Sequence, residues 1–262
     1  MSDSVLFDVE SNIATITLNR PEKLNAFTSE MLQALVQRID ECAERDDIRV
    51  VMLTGAGRGF CSGGDIGGMG DGADNRPHVT KERIWTEIQA FPKRLASFDK
   101  PIIAAVNGVA TGGGVDLALA CDFRTAAASA KFAETYSRIG LLPGGGGAYF
   151  LPRLVGTGRA LELLWTAEFI DAQDALSIGL VNHVFSDDQL YSRTFDICAR
   201  IASAPPFSVR HIKRAVYQGL NTDMHTAFDL ISSHIAIARA GEDHVEAINA
   251  FKEKRSGNFK GY

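Results

Sequence analysis

The stretch VNGVATGGGVDLALACDF, residues 106–123, sets three consecutive glycines ahead of an apolar run that holds one carboxylate, Asp116. A glycine within a helix costs about 1 kcal/mol relative to alanine, and no basic residue stands beside the acid in sequence to neutralise it. Proton transfer next to a carbonyl is the chemistry that would call for both. A helix starting at a glycine turn directs unpaired N–H groups outward at its positive end. Without side chains, Gly112, Gly113 and Gly114 let a ligand reach the backbone. The Gly113 N–H can then hold an oxygen on which charge develops, with Asp116 one turn away on roughly the same face. That is an oxyanion donor beside a carboxylate. The plainer reading is a packing-driven helix start with Asp116 as a buried acceptor. A second glycine turn, RGFCSGGDI, follows a buried strand and offers the amide of Gly64, so two N–H groups can aim at one oxygen.

Other chemistries find less support. Cys42, Cys61, Cys121 and Cys198 form no CxxC pair, and the six histidines fall in no HxxxH or HExxH spacing, so no metal site is predicted. The cysteines read as reduced core thiols of a cytoplasmic protein. FCSGG is not a nucleophile elbow, and GTGRAL lacks the third glycine of a dinucleotide loop. A net charge of −5 argues against a nucleic-acid surface. No apolar run reaches the roughly 20 residues of a membrane span, and the N-terminus lacks a signal-peptide pattern.

The elements that must position these groups follow from periodicity. VLFDVESNIATITL reads as a hairpin with Val5, Phe7, Val9, Ala14, Ile16 and Leu18 inward. Thr28 is the predicted cap of a helix carrying Met31, Leu32, Leu35, Val36, Ile39 and Cys42 on one stripe. RVVMLTG and KPIIAAVNG are buried strands, a helix runs from about Gly113 to Ala120, and CDFRTAA and AKFAE are short strands. The glycine content between Gly67 and Pro77 predicts a mobile loop, and residues 80–98 return to helical spacing. Strand–strand–helix units thus continue to about residue 190. Helices follow, with a joint at Pro205-Pro206.

NRPEKLNAF, GRGFCSGGDI, KPIIAAVNGVATGGGVDLALACDF, AKFAETYSRIGLLPGGGG and FIDAQDALSIGLVNHVF resemble, in order and spacing, the enoyl-CoA hydratase/isomerase (crotonase) family over nearly the whole chain. The resemblance implies an α/β fold, the crotonase-like spiral of ββα units, over residues 1–200. A C-terminal helical trimerisation region would span 201–262, giving a homotrimer or dimer of trimers. It implies an acyl-CoA thioester substrate, with coenzyme A part of the substrate and no separate cofactor. The thioester oxygen would sit on the amides of Gly64 and Gly113. Lys23, Leu24 and Ala26 would meet the nucleotide end, Ser62, Asp65 and Ile66 the adenine and pantetheine, and Lys254 a phosphate, from a neighbouring subunit.

The chain also departs from that pattern. The hydratases of the family use two glutamates; the first falls at Asp116, one methylene shorter, and the second at Tyr136, whose phenol is a poor base at neutral pH but can donate a hydrogen bond or a proton. Some isomerases carry an acid directly after the proline of the later glycine loop, where this chain has Gly144. Glu134, two residues before Tyr136, would share its side of a regular strand and is read as a surface or structural glutamate ahead of a catalytic one. Asp116 and Tyr136 are therefore the candidate acid–base pair of an enoyl-CoA hydratase or isomerase. An acyl-CoA-binding homologue with little turnover is the alternative.

Overall fold

The computed structural model describes residues 4–65, 67 and 76–262. Residues 68–75 of the glycine-rich stretch, and Ile66, lie outside the described residues. Two strands, β1 (Val5–Glu10) and β2 (Ile13–Leu18), pair antiparallel around Ser11 and Asn12, whose φ values of 53° and 65° suit a two-residue hairpin turn. The expected alternation holds in β1, where Leu6 is exposed. It fails in β2, which lies second in its sheet and is covered on both faces. The helix α1 (Ser29–Glu44) is capped by Thr28, whose Oγ1 accepts from the Met31 amide at 3.3 Å.

From there each turn of the chain lays one strand in a large sheet and the next in a small one. In order these are β3 (Val50–Gly55) and β4 (Gly59–Cys61), then β5 (Ile102–Val106) and β6 (Val109–Thr111), then β7 (Phe123–Ala127) and β8 (Lys131–Ala133). Between the first and second pairs lie α2 (Pro77–Arg83) and α3 (Ala90–Ala96), and between the second and third α4 (Gly113–Leu119). Leu53, Ala104 and Arg124 occupy one rung of the parallel ladder, so successive turns stack in register. β3 and β5 are apolar almost throughout because a parallel sheet is buried on both faces. The helical stretch expected over 80–98 is interrupted by a π-turn, Ile84–Ile88. Helix resumes at Ala90, which places Pro92 in a first turn, where a missing N–H costs nothing.

The remaining elements are α5 (Gly147–Val155), α6 (Thr157–Thr166), β9 (Ile170–Asp171), α7 (Ala172–Ser177), β10 (His183–Phe185), α8 (Leu190–Ala202), α9 (Pro206–Gly219), α10 (Met224–Ala240) and α11 (Glu242–Glu253). The short β9 and α7 had no counterpart in the sequence reading. The large sheet runs β1-β2-β3-β5-β7-β10 and the small one β4-β6-β8-β9. α9 and α10 bury no residue, and Ile212, Val216, Phe228, Ile235 and Ile237 stand exposed on them. All four cysteines are free and buried, which pushes each thiol up to about 12. No helix among the described residues is long and apolar enough to cross a membrane.

Candidate active site

The two glycine turns meet. Both lie at the ends of adjacent strands of the small sheet, β4 and β6. Thr111 Oγ1 donates to Ser62 O at 3.0 Å, and a Cβ on Gly63 would stand 3.4 Å from the Gly113 nitrogen. Gly114 admits no side chain, because a Cβ there would overlap Cys61 O. Phe27 and Gly64 form a parallel bridge in which Phe27 N donates to Gly63 O and Asp65 N to Phe27 O, at 2.8 and 2.9 Å. The N–H of Gly64 itself therefore points away from Phe27. Gly113 is the first residue of α4, so its N–H has no partner within the helix. The Gly64 and Gly113 amides thus lie on adjoining turns.

Asp116 lies at the back of it, 2 % exposed. Its Oδ2 accepts from Tyr136 Oη at 2.5 Å and from Gly145 N at 2.9 Å, while Oδ1 has no hydrogen-bond partner. Burial pushes the carboxyl up to about 6. The Tyr136 hydroxyl and the amides of Gly145 and Gly147 restrain that rise. The phenol of Tyr136 is driven upward by its own burial and by the charge of Asp116, so it stays protonated. Tyr136 Oη would lie 3.5 Å from a Cβ on Gly113, which puts the hydroxyl between Asp116 and the amides.

Two expectations about this region need correction. The strand β8 stops at Ala133, and Tyr136 sits on a 3-10 turn, Thr135–Ile139, so strand alternation does not relate it to Glu134. Nor is Glu134 a surface residue: it is 3 % exposed and neither carboxyl oxygen has a partner. Burial, then the neighbouring charge of Asp116, hold its carboxyl well above the usual range. Sequence reasoning also missed the Gly145 amide, although PGGGG marked the loop. At Gly144 a Cβ would meet nothing closer than 3.9 Å.

The residues assigned to the nucleotide end form a second cluster. Lys23 closes a 3-10 turn, Pro21–Lys23, and Ser62 bonds it twice, Ser62 N to Leu24 O at 3.0 Å and Ser62 Oγ to Lys23 O at 3.2 Å. Leu24 and Asn25 both have left-handed backbone, φ 49° and 56°, a conformation costing about 1–2 kcal/mol per residue. The fully buried Asn25 holds it, donating to Ala56 O and Gly59 O and accepting from Arg20 N. Asn25 was legible only as part of EKLNA. Ala26 is buried and gives its carbonyl to Arg20, which also pairs with Asp65 at 2.9 Å and holds that carboxyl below its usual range. Lys254 ends α11, exposed, and nothing in the structure brings it to the other site residues. Ile66 lies outside the described residues.

Comparison with known proteins identifies the family. The family described as enoyl-CoA hydratase/isomerase matches residues 8–262. The chain is 37% identical to the 1,2-epoxyphenylacetyl-CoA isomerase of Escherichia coli K12 over 264 residues, covering all of both chains. It is 35% identical to the crotonyl-CoA hydratase of Syntrophomonas wolfei over 258 residues, 98% of each. Among solved structures, an enoyl-CoA hydratase from Bacillus anthracis superposes with a TM-score of 0.93 at 35% identity, covering 99% of this chain and all of that one.

Proposed function

Because the chain belongs to the enoyl-CoA hydratase/isomerase family, we propose that it acts on an enoyl-CoA by holding the thioester oxygen on the amides of Gly64 and Gly113 and moving a proton at the acyl chain through Tyr136 and Asp116. The observation that carries this is the 2.5 Å contact between Tyr136 Oη and Asp116 Oδ2 beside the two glycine turns. As a C–H next to the held thioester ionises, the phenol oxygen takes that proton and passes its own to Asp116 Oδ2. The enolate charge rests on the two amides. Reversing the relay at another carbon returns the proton and shifts the double bond. A single relay of this kind supports isomerisation ahead of hydration, which also has to activate water.

In the same reading Lys23, Leu24, Ala26, Ser62 and Asp65 border the coenzyme A, and Lys254 acts in a neighbouring subunit. Coenzyme A arrives as part of the substrate, and no further cofactor is required. Residues 201–262 act as the assembly region of a homotrimer or dimer of trimers, supported by the apolar faces of α9 and α10. The free thiols support a reducing, cytoplasmic setting.

The test is incubation of 2-enoyl-CoA and 3-enoyl-CoA esters in H₂¹⁸O with mass detection. Interconversion of the two without ¹⁸O is expected. Rapid ¹⁸O uptake into a 3-hydroxyacyl-CoA would assign hydration instead, and binding of every ester without turnover would reduce the protein to an acyl-CoA binder.

A further inference from the structure

Glu134 and Asp116 are two buried carboxyl groups, each with an oxygen that nothing satisfies. A buried polar group without a partner is rare in a folded protein and costly. Here the two orphans face the same backbone. A Cβ on Gly147 would overlap Asp116 Oδ1 and stand 3.0 Å from Glu134 Oε1, so the missing side chain leaves an opening between the acids. The other surroundings of Glu134 offer it nothing. It borders a cavity of about 10 Å³ whose remaining walls come from Val115, Phe132, Leu151, Leu163, Ile170 and Leu180, among others, all apolar. That space gives a water no second polar group to bond. The titratable groups facing Glu134 and Asp116 are each other and Tyr136, and Tyr136 is already committed to Oδ2.

We propose that Glu134 is a positioning residue that stays protonated and donates its hydroxyl to Asp116 Oδ1 through the opening at Gly147, so that the two acids hold one proton between them. This rests on the reading of Asp116 as the proton acceptor behind Tyr136. The complementarity is chemical: a neutral carboxylic acid has a proton to donate, and Oδ1 of an ionised Asp116 has lone pairs and no side-chain donor. Burial keeps the acid neutral, because ionising it would put a second negative charge beside Asp116. The contact fixes both oxygens of Asp116, so that Oδ2 faces Tyr136. It also stabilises the ionised form, which must exist at neutral pH for the relay to run. The proton is shared and is never delivered to substrate. Glu134 is therefore distinct from the second glutamate of the hydratases, whose place is Tyr136.

The measurement is infrared difference spectroscopy of the substrate-free protein across pH, following the carboxyl bands of wild type, Glu134→Gln and Glu134→Leu. Wild type should keep one protonated carboxyl band at pH 7.5 that Glu134→Gln lacks. Asp116 should titrate higher in Glu134→Leu by about one to two pH units, the worth of a hydrogen bond to a charged group. In Glu134→Gln, whose amide still donates, it should return to within a few tenths of wild type. A filler of the core would leave the Asp116 midpoint unmoved in both folded variants, and that result overturns the proposal. An ionised Glu134 at pH 7.5, or a Gln variant that shifts as far as Leu, overturns it too. If both variants unfold, Glu134→Asp, which keeps a carboxylic acid but shortens its reach by one methylene, should raise the Asp116 midpoint; an unchanged midpoint is equally fatal. None of these readings needs turnover. Failure of the enoyl-CoA activity is read separately, from the ¹⁸O experiment.

Discussion

Tyr136 and Asp116 share a 2.5 Å hydrogen bond, yet only the tyrosine is open to a ligand: it is half-buried beside the glycine turns, whereas Asp116 is 2 % exposed. In the proposed relay the carboxylate supplies the basicity and the phenol supplies the reach. This division shapes the predictions for both residues.

Asp116→Asn preserves shape and removes the base, so kcat should fall by about 10²–10⁴ while CoA-ester binding survives. Stability should move the other way. A carboxyl raised from 3.8 to about 6 by burial favours the folded state fully below its unfolded pKa. That contribution is lost as pH rises through about 6, and it amounts to up to about 3 kcal/mol. The asparagine variant should therefore resist urea better than wild type at pH 7.5, and the advantage should vanish near pH 4. Activity that stays within a few-fold of wild type would make Asp116 structural.

In wild type, kcat/KM should rise with pH through about 6, as Asp116 ionises, and then level off. Tyr136→Phe removes the strongest influence holding that carboxyl down. The acid limb should move to higher pH, and kcat should drop by at least about 10² because the relay is cut. If Asp116 reached substrate directly, the phenylalanine variant would keep most of its rate, and the pH–rate profile would reveal it.

Gly113→Pro deletes one donor to the thioester oxygen, a loss of about 10²–10³ in kcat. The structure adds a complication, since any Cβ at this position would press on the Phe27 ring. Gly113→Ala carries the same steric burden and keeps its N–H. The comparison that counts is proline against alanine, both confirmed folded by circular dichroism. Equal rates in the two would remove Gly113 from the oxygen-binding role.

Sedimentation should find wild type at three or six times the chain mass. Ile235→Glu places a charge on the exposed apolar face of α10 and should shift the protein toward monomer. A monomeric wild type would leave α9 and α10 without their proposed purpose.

Lys23→Ala should raise KM for CoA esters with kcat little changed, and the defect should shrink at high salt, as expected for a screened contact with phosphate. A salt-independent KM would count against the assignment of this turn to the nucleotide end.

Much of the architecture was legible because it is written locally. The Thr28 cap, the apolar β3 and β5 and the helix start at Gly113 each declare themselves within a few residues. The meeting of Asp116 with Tyr136 spans 20 positions and was legible only through the family pattern. Glu134 was misjudged for a different reason. KFAETY reads as an alternating strand, but the strand ends at Ala133. The side chains that bury the acid, Leu151 and Leu163, come from α5 and α6, and no local period records them. The same holds for the Gly145 amide, whose role depends on where the PGGGG loop folds back over α4.

The later glycine loop is not uniformly closed to change. Side chains at Gly145 and Gly147 would collide with Asp116, and Gly146 has φ 123°, whereas Gly144 has open space around its missing Cβ and ordinary backbone. A descendant of this protein could acquire an acid there in one substitution, glycine to aspartate, with no backbone rearrangement. The scaffold thus holds an open evolutionary route to a second reactive carboxylate. Gly144→Asp should fold with unchanged Tm and alter the ratio of isomerised to hydrated product, and a collapsed Tm would show that the route is closed.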